Sequence, residues 1–235
     1  MSSATQNIDV ILWGGTQAGK TTALTAYLCH DPNKPEWVDR LASETVETMR
    51  YLRTNYWNRL MRNQLPEGTQ KPEFLTLKHR DGRLIRFRDM KGGDAEDLSP
   101  EDTKALLEAQ AVMICVEWPS QRITSNNLAY ENARQFTQRS YAMVITKVEC
   151  YLAPEQVLHF TQDPIGMAKK MKVGESFIRL LENTPLNRVF PVSVYGYSAG
   201  KFPAHYCDEF GRLLPQNIRP YGVNAPFDYV MKQIC

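Results

Sequence analysis

One stretch near the start of the chain, "ILWGGTQAGKTTAL" over 11–24, leaves few folds open. An apolar run, "DVILW" over 9–13, reads as a buried strand and breaks into two glycines; Lys20 to His30 then reads as a helix. Between them Gly14, Gly15, Thr16, Gln17, Ala18, Gly19, Lys20 and Thr21 fit the pattern G-x-x-x-x-G-K-[ST] at every fixed position. The glycines let the backbone curl so that its N–H groups converge on phosphate oxygens, aided by the positive end of the following helix. Lys20 then supplies a mobile cation to the outer phosphates, and Thr21 offers a hydroxyl to Mg²⁺. With Thr22 in the first helical turn, these residues form the expected phosphate cradle.

The rest of the chain supplies the sheet that such a cradle needs. "PEWVDRLASETVETMRYLRTNYWNRLMRNQ" over 35–64 is helix-periodic and predicts one long helix, followed by the loop "LPEGTQKP". "EFLTLKHR" and "RLIRFRD" flank Asp81-Gly82 and predict a hairpin whose strands form an edge pair with one polar face. Ser99 followed by Pro100 predicts a capped helix. "AVMICVEW" over 111–118 and "YAMVITK" over 141–147 are apolar enough for strands buried on both faces, with a helix between them over 126–140. Residues 151–186 read as irregular and then helical, "RVFPVSVYG" as a last strand, and "APFDYVMKQI" as a closing helix. Strand–helix alternation of this kind specifies an α/β fold: a mostly parallel sheet with helices on both faces. Residues 1–7 are expected to be a flexible tail, and 8–235 a single domain with insertions near 35–64 and 151–186.

Bulk properties exclude several classes. A net charge of +2 gives no electrostatic reason to expect nucleic acid or membrane as a partner. The cluster Lys169-Lys170-Met171-Lys172 reads as a solvated helix face. Five scattered cysteines without a Cys-x-x-Cys pair argue against a disulfide framework and a zinc site, and fit a reducing cytoplasm. No apolar run approaches membrane-spanning length, and Cys235 as final residue excludes a Cys-a-a-X lipid anchor.

Two further motifs sit at expected strand ends. Asp89-Met90-Lys91-Gly92 ends a strand that should lie beside the cradle strand. There Asp89 can hold Mg²⁺ through water, while the Gly92 N–H can reach a third phosphate. Thr146-Lys147-Val148-Glu149 stands at the C-terminal edge of the buried strand over 141–147, where open α/β sheets bind ligands. A carboxylate at Glu149 can accept from N1–H and N2–H₂ of guanine, a pair that adenine lacks, and the Lys147 stem can lie along the ring. Backbone near Ser193 and Val194, at the end of the last strand, could meet the guanine oxygen.

With these three motifs in order, the chain resembles the translation-factor-like class of P-loop GTPases, in particular those with the Ras-like small GTPase fold. The resemblance covers about residues 8 to 197 and implies a six-stranded sheet, Mg²⁺-dependent GTP binding, and switching between GTP and GDP states. It implies that Lys20, Asp89 and Gly92 serve the chemistry, and that Thr21, Asp89 and a switch threonine complete the Mg²⁺ shell. Thr69 in "PEGTQKP" is the candidate threonine, ahead of Thr76 inside the strand.

The departures are specific. Glu149 replaces the usual Asp and is one methylene longer, and Gly93 stands where a water-orienting Gln is common. Slow hydrolysis is therefore expected, with Gln17, Gln70 and Asp94 as unranked stand-ins. The helical insert and long C-terminal extension resemble those of larger prokaryotic signalling or conflict-system GTPases, and imply a protein effector or regulator. Two other classes stay open. One is an ATPase or small-metabolite kinase with Arg53, Arg59 or Arg62 on a lid. The other is a non-hydrolysing nucleotide-binding scaffold that presents Tyr51, Tyr56 and Trp57 to a partner.

Overall fold

The computed structural model describes residues 7–15, 18–30, 35–62, 73–90, 99–118, 140–198, 202–203 and 218–235. Its centre is a six-stranded sheet in the order β2-β3-β1-β4-β5-β6. The strands are β1 (Ile8–Trp13), β2 (Glu73–Lys78), β3 (Leu84–Asp89), β4 (Ala111–Glu117), β5 (Ser140–Thr146) and β6 (Val189–Pro191). Only the β2–β3 pair is antiparallel; β1 runs parallel to both β3 and β4, and β5 parallel to β4 and β6. A small ribbon, β7 (Tyr197–Ser198) with β8 (Phe202–Pro203), stands apart from the sheet.

The period-two pattern of the strands divides the core in two. Val10, Leu12, Ile85, Phe87, Met113, Cys115 and Val144 face one side, under α1 (Lys20–Cys29) and the C-terminal helix α8 (Asn224–Ile234). Ile11, Trp13, Ile114, Val116, Met143 and Ile145 face the other, under α4 (Pro100–Glu108), α5 (Pro154–Gln162), α6 (Pro164–Lys170) and α7 (Glu175–Glu182). Strands buried on both faces must be apolar throughout, which is why β4 and β5 read as unbroken hydrophobic runs.

The region 35–64 differs from its sequence reading. Its helix starts only at Ser43: α2 (Ser43–Leu52) passes into a π-helical turn over Arg53–Trp57 and then α3 (Asn58–Met61). Ahead of it, Val38 bridges His79, with Asp39 N donating to Lys78 O at 2.7 Å and Arg80 N to Trp37 O at 2.9 Å. Pairing with the end of β2 satisfies more backbone groups than a helical start after Pro35 would, so the apparent helical period over 35–42 is overridden.

The insert also closes an exposed edge. Strand β2 lies at the end of the sheet, and its outward-facing polar groups would be open to another strand. Thr45 accepts from Lys78 N at 3.0 Å and Thr48 donates to Thr76 O at 2.7 Å, so one face of α2 seals that edge. The predicted hairpin at Asp81-Gly82 is present, with Gly82 at φ 95. Its second strand is interior rather than at the edge: the polar face of β3 is absorbed by Arg86, clamped on Asp9, and by Arg88, paired with Asp102.

The Ser99 cap is as expected, accepting from Asp102 N. The last strand is shorter than "RVFPVSVYG" implied. Its pairing follows β5, which ends at Thr146, and Ser193 bridges Tyr221 from the C-terminal segment instead. Of the helix expected over 126–140 only Ser140 is described, and it opens β5 instead; of the tail expected over 1–7 only Asn7 is described.

Helix α8 is fixed by aromatic packing. Phe227 stacks on Tyr27 at 4.3 Å between centroids and meets Phe87 edge-on at 6.1 Å. Phe227→Ala should cost about 3–5 kcal/mol in urea-denaturation stability; a loss below about 1 kcal/mol would show that α8 is not part of the cooperative core.

Candidate functional site

The site gathers at the C-terminal ends of β1, β3, β4, β5 and β6, the crevice where open α/β sheets bind ligands. The loop after β1 begins at Gly14, at φ 148, where a Cβ would overlap the carbonyl oxygen of Cys115 on β4. Only glycine lets the chain leave the sheet so close to its neighbour. The loop ends at Gly19, at φ 80, which stands at the N-cap of α1 without a side-chain cap, and no acidic residue lies in the first turn. The leading N–H groups of α1 are thereby left to an anion.

Lys20 is 6% exposed and folds back over the loop, donating to Gly14 O at 2.9 Å and Gly15 O at 3.1 Å. Thr21 Oγ1 donates to Asp89 Oδ2, so the hydroxyl and the carboxylate that the sequence assigned to one metal shell do meet. Asp89 is fully buried at the end of β3, in register with Leu12 of β1. Among the described residues no group of three or more His, Cys, Asp or Glu could cage an ion. A hydroxyl beside one carboxylate fits Mg²⁺, which takes few protein oxygens and completes its shell with water and phosphate. Thr16, Gln17, Thr69 and Gly92 lie outside the described residues, as do Gln70, Gly93 and Asp94. Thr22 is half-buried in the first turn of α1.

The second half of the site is tied to the first. Thr146 Oγ1 donates to Ala18 O at 2.8 Å, joining the end of β5 to the glycine loop. Lys147 follows in the left-handed region, φ 58, an unusual conformation for a side chain with a Cβ. That kink opens a single 3₁₀ turn over Val148–Cys150 and swings Glu149 inward. Lys147 Nζ is held 3.0 Å from Glu117 Oε2 at the end of β4.

Glu149 is 5% exposed. Burial pushes its carboxyl up to about 7, opposed by hydrogen bonds from its own N–H, the Ser193 side chain and the Tyr195 N–H, and by the Lys147 charge. Its Oε2 has no hydrogen-bond partner among the described residues. Ser193 is fully buried and Val194 nearly so, both beside this carboxylate loop.

The sequence reading missed Glu117, Tyr195 and Gly196. Glu117 was open to discovery, since a carboxylate closing an apolar strand at the ligand-bearing edge is itself a signal. Tyr195 acts through its backbone N–H, which no side-chain motif reveals.

Of the three arginines considered for a lid, Arg53 is placed away from the glycine loop. Arg53 hydrogen-bonds Cys29, nine residues along α1 from Lys20, a separation of about 13 Å. Tyr56 is buried and Tyr51 and Trp57 pack against the core, so the three aromatics serve packing.

Strand order, glycine loop and the Lys20, Thr21 and Asp89 constellation define a P-loop NTPase-like α/β domain. No family model matches the chain, and no curated protein matches it. Among solved structures it is similar to a bacterial selenocysteine-specific elongation factor, EF-Sec, at 14% identity and a TM-score of 0.47. The alignment covers 97% of this chain and 28% of that one, so the chain spans little more than a quarter of that protein's length. No helix among the described residues is long and apolar enough to cross a membrane.

The carboxyl of Glu149 gives a pH signature. Its value in the fold, about 7, lies above the ordinary 4.5, so its contribution to stability is full below about 4.5 and is lost as pH rises through 7. Urea midpoints of the nucleotide-free protein should therefore fall between pH 5 and 8, and Glu149→Gln should flatten that fall. An unchanged slope in the variant would remove Glu149 as its source.

Proposed function

We propose that this chain is a Mg²⁺-dependent GTP-binding switch with slow GTP hydrolysis, residues 8–235 acting as one nucleotide-binding unit. The observation that carries the reading is the buried Glu149 carboxylate, with Oε2 lacking a hydrogen-bond partner among the described residues, beside Ser193 and Val194 and tied through Thr146 to the phosphate loop. A guanine ring offers N1–H and N2–H₂ to such a carboxylate, whereas adenine would leave it buried and unpaired. Glu149, one methylene longer than Asp, stands on the 3₁₀ turn that the left-handed Lys147 opens.

In this reading Lys20 moves from the Gly14 and Gly15 carbonyls to the β and γ phosphates, where its charge offsets that developing on the transferred group. Thr21, Thr69 and Asp89 would hold Mg²⁺, Asp89 through water, and the Gly92 N–H would sense the third phosphate. When bound there, Mg²⁺ would supply neutralisation of the phosphate charge. Lys147 lays its stem along the base, its ammonium neutralised by Glu117. With Gly93 in place of a glutamine, little in this stretch orients the attacking water, and turnover is slow. A protein regulator would then supply what is missing; no nucleic acid or membrane partner is required.

Thermal melting with Mg²⁺ and each nucleotide tests the assignment. At a hundredfold excess over Kd, GTP should add about 2.7 kcal/mol of stability, a rise of roughly 5–10 °C for a chain of this size. ATP should do less, and equal or greater stabilisation by ATP would remove the guanine assignment. Lys20→Ala should abolish the shift. Glu149→Ala should weaken GTP at least about a hundredfold, the worth of two hydrogen bonds to a charged acceptor. The mass of the nucleotide that copurifies gives an independent readout. Multiple-turnover phosphate release, with and without lysate, separates a slow switch from a non-hydrolysing scaffold.

A further inference from the structure

The loop that carries Ser193 and Tyr195 does not stand alone. A later segment, Arg219-Pro220-Tyr221-Gly222, returns to lie against it before α8 begins. Ser193 and Tyr221 exchange both backbone hydrogen bonds, at 3.0 and 2.8 Å, and Arg219 N donates to Tyr195 O at 3.1 Å. Two glycines permit this closeness. Gly196 at φ 74 and Gly222 at φ 70 both occupy conformations that favour glycine. A Cβ on Gly196 would overlap the Arg219 carbonyl, and one on Gly222 the Pro191 carbonyl.

The two residues gripped from behind are the two that grip Glu149 from in front. The Ser193 hydroxyl and the Tyr195 N–H both hydrogen-bond the Glu149 carboxylate, while Ser193 Oγ accepts from Gly196 N at 2.7 Å. The phosphate half of the site is held by other residues: Lys20 by the Gly14 and Gly15 carbonyls, Thr21 by Asp89, and the Ala18 carbonyl by Thr146.

We propose that Arg219–Gly222 is a strap that positions Glu149 through Ser193 and Tyr195, and so sets the base selectivity of the site. The inference rests on the guanine reading given above. Lifting the strap removes the base-specific part of the affinity and leaves the phosphate part. Since linkage is reciprocal, occupation of the base site must also tighten the strap.

The test measures GTP, ITP and inorganic tripolyphosphate affinities of the full chain, in the presence of Mg²⁺, for wild type, Gly222→Ala and Gly196→Ala. ITP lacks the 2-amino group and so loses one hydrogen bond to the carboxylate. Wild type should prefer GTP over ITP by tenfold or more. Both variants should compress that ratio to about twofold while holding tripolyphosphate within about twofold of wild type. A variant that keeps the wild-type ratio overturns the strap, whereas absence of preference in wild type overturns the guanine reading itself.

Hydrogen exchange on wild type needs no variant to fold. GTP should slow exchange of the Tyr221 and Arg219 amides at least tenfold more than tripolyphosphate does. Equal protection by the two ligands would sink the proposal.

Discussion

Everything at the site depends on how closely β1 and β4 approach at their C-terminal ends. Gly14 leaves the sheet directly against the Cys115 carbonyl, in a position that no side chain could share. That contact fixes where the phosphate loop begins. The Lys20 ammonium, donating to the Gly14 and Gly15 carbonyls, helps hold the loop in place over the buried strands. Any side chain at Gly14 would push the loop off β4, and with it the Ala18 carbonyl that Thr146 grips.

In the proposed function the site has two halves on one sheet, one for phosphate and one for base. The phosphate half draws on β1, α1 and β3 and brings Lys20 onto the loop carbonyls and Thr21 onto Asp89 Oδ2. The base half draws on β4, β5 and the turn after β6, and it holds a buried carboxyl displaced upward by burial. A buried carboxylate with one oxygen lacking a partner among the described residues is costly, and in the proposed function the donors of a bound guanine would offset that cost. The Thr146 to Ala18 hydrogen bond is the joint between the halves.

The helical insert has a quieter part. By covering the outer edge of β2 with Thr45 and Thr48, α2 removes a strand edge that would otherwise invite pairing. The apolar side of the insert, Leu52 of α2 and Tyr56 of the π-helical turn, adds to the core beneath α1, with Tyr51 and Trp57 packed against it.

The sequence alone determined the parts whose chemistry is local. The glycine loop, the apolar strands and the polar residues that end them are fixed by backbone conformation and by burial on both faces, and each was legible as a short pattern. Tertiary structure decided what depends on a partner distant in the chain. Val38 pairs with His79, so α2 begins at Ser43 despite a helical period from residue 35. Glu117 meets Lys147 across two parallel strands, and Tyr221 meets Ser193 across a separation that no periodicity records. The cradle's residue types follow from phosphate chemistry and can be read in sequence. The orientation of Glu149 follows from contacts assembled only when β5, β6 and the C-terminal strap are brought together.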